Sequence, residues 1–149
     1  MSRSVDDLIK GLRSFEPVDD DNDNVHRLNE LFDGFHVLAD REEALPEFFF
    51  LLERHPQADF GTPIPVVKEL ERLAGFPKAL AASLERQPTD LAAWMVNRLL
   101  NSPLPREKRA AWIERLTAVT AHARAPAAAR ESATRFLDFQ ASRSGRLDP

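Results

Sequence analysis

The stretch PTDLAAWMVNRLLNSP, residues 88–103, constrains the fold more than any other, because its apolar residues nearly surround a helix axis. Leu91, Met95 and Leu99 form one row at i+4 spacing, Ala92, Val96 and Leu100 form a second, and Trp94 widens the surface. Thr89 or Asp90 can cap the N-terminus, while Pro103 and Pro105 forbid continuation. Only Asn97, Arg98 and Asn101 interrupt the apolar cover. A helix so covered must be packed on several sides, which requires layers of other helices around it.

The rest of the chain supplies them. Val5, Leu8, Ile9, Leu12 and Phe15 share one face of a first helix, with Ser4 and Asp7 placed as a capping box. An acidic connection follows at about residues 16–24, and Val25, Leu28, Leu31, Phe32, Phe35 and Leu38 predict a second helix ending near Ala39. Gly34 inside it marks a close approach or a weak point. Pro46 is expected to open a third helix, whose run Phe48, Phe49, Phe50, Leu51 and Leu52 cannot share one face and must be sandwiched. Thr62 and Pro63 start a fourth helix that Gly75 ends, and Pro77 starts a fifth. Residues 88–103 are the sixth. Pro105 opens a seventh and Pro126 an eighth that runs to about Ser142, leaving residues 143–149 as a frayed tail.

The predicted class is all-α: one domain over residues 1–149, about eight helices in stacked antiparallel pairs, a short HEAT-like solenoid, with an irregular helical bundle as the alternative. Intervals of about 40 residues from the second helix to the fourth, and from the fourth to the seventh, have the length of a helical repeat.

A chain of 149 residues can bury a proper core, and 11 prolines against 5 glycines punctuate it as helices rather than strands. With no cysteine there is no thiolate chemistry. The first residues, MSRSVDDLIKGLRSF, carry acids within their apolar pattern, unlike a signal peptide, and no apolar run approaches the ~20 residues a bilayer crossing needs. A soluble cytoplasmic protein without membrane contact is expected. Charge is divided along the chain. Residues 1–60 hold 6 Lys/Arg against 15 Asp/Glu, a formal −9, and residues 61–149 hold 14 against 9, a formal +5.

Patterns that carry chemistry are few. Asp19, Asp21, Asp23 and Glu30 have the offsets of a calcium-binding EF-hand loop, but Asn24 stands where that loop needs glycine and the helical spacing already begins at Val25. His26, His36, His55 and His122 form no ligand motif. There is no nucleophile elbow and no glycine-rich phosphate loop, so neither an enzyme nor a cofactor is expected. Arg106, Lys108, Arg109, Arg115, Arg124, Arg130 and Arg135 are interspersed with acids and lack a stacking surface, which disfavours nucleic acid. Asn97, Arg98 and Asn101 can either donate to loop carbonyls of an adjacent helix pair or line a partner groove.

The segment LFDGFHVLADREEALPEFFFLLERHPQADFGTPIPVVKELER, followed by PTDLAAWMVNRLLNS, resembles the all-helical, HEAT-like immunity proteins of bacterial polymorphic and contact-dependent toxin systems. The likeness spans residues 31–102, and its distinctive pieces are the helix start at Gly61, Thr62 and Pro63 and the helix bearing Trp94, Asn97, Arg98 and Asn101. What it implies is a non-catalytic inhibitor that occludes the active site or substrate approach of a cognate toxin. An acidic N-terminal half suits a basic, nuclease-like partner, and Asp19, Asp20, Asp21, Asp23, Asp33, Glu42, Glu43 and Glu47 are the candidate binding charges. A general helical adaptor for an endogenous protein is the alternative.

Overall fold

In the computed structural model the backbone is described for residues 4–147 and side chains for residues 4–143. Eight α-helices and no strand occur among them: α1 (Val5–Arg13), α2 (Asp21–Leu31), α3 (Ala44–Arg54), α4 (Ile64–Glu71), α5 (Phe76–Arg86), α6 (Asp90–Leu100), α7 (Arg106–Val119) and α8 (Ala127–Leu147). Packing follows chain order in two rows. Helices α1, α3, α5 and α7 stack one on the next, while α2 packs on α4 and α6 on α8. The rows are joined where α1 meets α2, where α4 meets α5, where α5 and α7 meet α6 and where α7 meets α8. This is the next-but-one packing of stacked helix pairs.

The pairs begin at residues 5, 44, 76 and 106, so their spacing is uneven. The interval read from the fourth helix to the seventh spans three helices and is no repeat unit. Nor is there a single innermost helix. In α6 only Asp90 is exposed, as its pattern demands, yet α3 is buried as deeply: Phe48, Phe49, Leu51 and Leu52 are all at 0% exposure. It lies between α1 and α5. Its fifth large residue, Phe50, faces outward with the Arg86 guanidinium 5.2 Å from the ring centroid.

Several boundaries move for local reasons. The capping box at α1 forms in both directions, with Asp7 N–H donating to Ser4 Oγ at 3.2 Å and Ser4 N–H to Asp7 Oδ2 at 3.3 Å. The acidic connection ends four residues earlier than its composition suggests. Asp20 accepts from the amides of Asn22 and Asp23, and the following acids favour the positive end of the helix they begin. Asn24, fully buried, fastens the connection by exchanging bonds with Val18 N–H and C=O and donating to the Asp59 carbonyl. At the other end α2 stops at Leu31, because Gly34 takes a left-handed conformation (φ 74°) and turns the chain. Helix α3 begins at Ala44 rather than Pro46, entered through a 3₁₀ turn at Arg41–Glu43. Helix α4 ends at Glu71, before the predicted Gly75. The tail expected from residue 143 is helical through Leu147: a lone glycine at 145 weakens a helix by about 1 kcal/mol without ending it, and no proline intervenes. Residues 148 and 149 lie outside the described residues.

Two glycines have left-handed backbones but different surroundings. A Cβ at Gly61 (φ 62°) would lie 2.6 Å from Val25 Cγ2, whereas one at Gly34 would meet nothing within 4 Å. Gly34→Ala should therefore lose only the conformational penalty of about 1–2 kcal/mol. Gly61→Ala should lose measurably more in urea denaturation; equal losses would mean that α2 yields freely at Val25.

Candidate functional site

The segment between α2 and α3 holds two short 3₁₀ turns in place of an α-helix, and it presents the most exposed large apolar side chain among the described residues. Gly34 (φ 74°) and Asp40 (φ 59°) both sit in the left-handed region, which an aspartate occupies only at a cost. Between them a 3₁₀ turn, Phe35–Val37, sends alternate residues in opposite directions. Phe35 is 1% exposed, with its ring centroid 5.1 Å from that of Phe32, while Val37 is 73% exposed. Arg41 braces the turn from below by donating to the carbonyls of His36 (2.9 Å) and Leu38 (3.2 Å).

Val37 forms one wall of an open groove completed by the start of α1 and lined also by Val5, Leu38 and three carboxylates, Asp6, Asp33 and Asp40. No cation lines it. None of the three carboxylates has a hydrogen-bond or ion-pair partner among the described residues, so their charge faces solvent. A surface of this kind can attract a cationic partner and offer it an apolar anchor.

The acids expected from sequence fall into two groups. Asp20 is the α2 cap, Asp23 lies 4.0 Å from Arg27, and Glu47 accepts from Arg13 at 2.7 Å; these three are engaged within the fold. Asp19, Asp21, Asp33, Glu42 and Glu43 have no side-chain partner among the described residues. Of the eight, only Asp33 lines the groove. Asp6 and Asp40 escaped notice because each reads locally as a helix-start acid; nothing in the spacing says that α1 packs beside the loop. The EF-hand offsets dissolve, since residues 21–31 form a helix and donors on it splay around an axis instead of converging. No metal-competent cluster of three His, Asp or Glu occurs among the described residues.

Asn97, Arg98 and Asn101 bind side chains of other helices rather than loop carbonyls. Gln140 of α8, fully buried, donates through Nε2 to both Asn97 Oδ1 and Asn101 Oδ1 at 2.8 Å. Arg98 makes a two-pronged contact with Glu71 of α4 at 2.9 and 3.0 Å and stacks over Trp94. The hydrogen bonds to Glu71 raise its pKa, against the opposing effect of partial burial, and the carboxylate's charge adds to the rise. Several basic residues of the C-terminal part make separate contacts: Arg115 stacks on Trp112, Arg124 reaches the Arg86 carbonyl, Arg130 the His122 carbonyl and Arg135 the Ser132 hydroxyl. No described helix is long and apolar enough to cross a membrane.

A search of protein-family models, of curated proteins and of solved structures finds no match to this chain.

The opposed directions of Phe35 and Val37 separate anchoring from presentation. Phe35→Ala should cost about 3–5 kcal/mol in chemical denaturation, the range for emptying a buried aromatic site. Val37→Ser should stay within about 0.5 kcal/mol, as for an exposed position. A large loss on Val37→Ser would place that side chain in the core.

Proposed function

We propose that this chain works by binding another protein, and that it is an immunity protein docking a basic, nuclease-like toxin on the face around residues 33–40. The reading is supported by one arrangement above all. Val37 stands exposed between Asp6, Asp33 and Asp40 on a loop that needs two left-handed residues to hold it there. Uncommon backbone conformations persist where the surrounding structure enforces them, and they concentrate at sites of recognition. The unpaired carboxylates raise the rate of encounter with a cationic surface, and Val37, once desolvated, slows dissociation. A helical stack seated over a toxin's active site would deny access to substrate without chemistry of its own. The immunity part of the reading rests on the resemblance across residues 31–102 and on the sign of this face.

The test is co-expression with each reading frame encoded beside this one, scored by growth, with association measured on the pair that responds. One neighbour should be lethal alone and harmless with the chain present. Asp6→Lys with Asp33→Lys should then slow association about tenfold or more and flatten its dependence on salt, as expected when steering is lost. Val37→Asp should speed dissociation. If no neighbour is lethal, the immunity reading falls; if one is neutralised equally well by all these variants, the face is misassigned.

A further inference from the structure

Helix α7 carries a sequence repeat that the packing of the chain does not use. From Glu107 to Thr120 it reads EKRAAWI and then ERLTAVT, so that an acid, a base and an alanine recur seven residues apart as Glu107 and Glu114, Lys108 and Arg115, Ala111 and Ala118. At about 100° per residue these six share one side of the helix, the alanines in the middle, the acids on one edge and the bases on the other. The core takes a different side, with Trp112, Leu116 and Val119.

This side of α7 is open. Both acids, both bases and Ala118 are exposed, and Ala111 is half-buried. Glu107, Lys108 and Glu114 have no hydrogen-bond or ion-pair partner among the described residues, and Arg115 lies over the Trp112 ring with its guanidinium 4.6 Å from the centroid. The six border two adjoining hollows between α7 and α5, of about 420 and 540 Å³, whose apolar lining includes Ala81, Leu84 and Leu104. Ala81, Ala111 and Arg115 line both, so the hollows form one groove.

We propose that this groove is the interface between two copies of this chain, with their α7 helices parallel and side by side. Recurrence every seven residues on an open helix face is the period at which paired helices meet, and alanine in the middle lets two axes approach to about 8 Å. The charged edges select the occupant and its direction. In a parallel pair related by a two-fold axis along the helices, the acidic edge of each α7 meets the basic edge of the other. Glu107 of each copy then faces Lys108 of its mate, and Glu114 faces Arg115. An antiparallel pair sets acid against acid and base against base instead. A second copy satisfies the pattern at every level, since the two edges differ in sign and agree in spacing. The groove shares no residue with the face proposed for a toxin, so pairing leaves that face open.

The chain has no cysteine, so single cysteines report the geometry directly. Under mild oxidation Ala111→Cys and Ala118→Cys should each give a covalent dimer, because like positions meet all along a parallel pair, whereas Thr117→Cys, exposed on another side of α7, should not. Sedimentation equilibrium should show a monomer–dimer equilibrium. Glu114→Arg, checked for an unchanged denaturation midpoint, should weaken it about tenfold, and adding Arg115→Glu, which exchanges the two edges at that level, should restore it. Asp6→Lys with Asp33→Lys should leave it unchanged. A chain that stays monomeric at every concentration, cross-linking at 111 without 118, equal cross-linking at 117, or unweakened association of Glu114→Arg overturns the proposal.

Discussion

A continuous seam of phenylalanine rings is the interaction on which the N-terminal half of this structure depends. It runs from Phe35 to Phe32, across to Phe48 and Phe49 of α3, and on to Phe76 of α5, with successive centroids 5.1–6.2 Å apart. Two of the contacts are edge-on, the arrangement that the ring quadrupole favours. The seam joins a loop and two helices with no polar contact, and it makes the irregular loop part of the core. Because Phe35 is held inward, the next-but-one residue has nowhere to go but out. The exposure of Val37 is thus a consequence of packing on its other side, and the left-handed residues at 34 and 40 are how the backbone accommodates both demands.

Charge pairs set the alignment of what the rings hold together. Arg13 with Glu47 links α1 to α3, Arg86 with Glu53 links α5 to α3, and Arg98 with Glu71 links α6 to α4. Each joins a helix to its next-but-one neighbour, the same relation that defines the two rows. Arg13 is 66% exposed, so its pair adds little to stability. Arg98 differs: its fork meets both oxygens of Glu71 while its face lies on Trp94, which fixes angle as well as distance. Between α4 and α6, where helix packing is sparse, that contact supplies the alignment. The buried Gln140 plays the equivalent part between α6 and α8, satisfying two asparagines with one amide.

Much of this was readable in the sequence wherever a pattern repeats within a helix turn. The i+4 rows of α6, the capping box at Ser4 and the cap at Thr89 all appear in place, since each depends on residues at most four apart. What escaped depends on partners far along the chain. Gly34 ends α2 because the aromatic seam draws Phe35 inward, and periodicity alone let the helix run on to Ala39. The acids divide in the same manner. Asp20, Asp23 and Glu47 look like Asp19 and Asp33 in composition, and only the positions of the α2 amides, Arg27 and Arg13 separate those engaged within the fold from those left to solvent. The contact of Gln140 with two asparagines is the clearest case: residues 97, 101 and 140 meet only after α6 and α8 have packed.

The division of charge along the chain acquires physical meaning from the order of the stack. From α1 to α7 the first row takes three steps, α1 to α3 to α5 to α7, each an interhelical spacing of roughly 8–10 Å. That separation is several times the screening length of about 8 Å at physiological salt. A bundle in which α1 folded back on α7 would bring the groove acids against the basic residues of the C-terminal half and weaken their field. A stack keeps them apart. Asp6, Asp33 and Asp40 can therefore draw a cation without being neutralised by the basic residues at the other end of the stack. The rigidity that the phenylalanine seam and the charge pairs along each row confer is what maintains that distance.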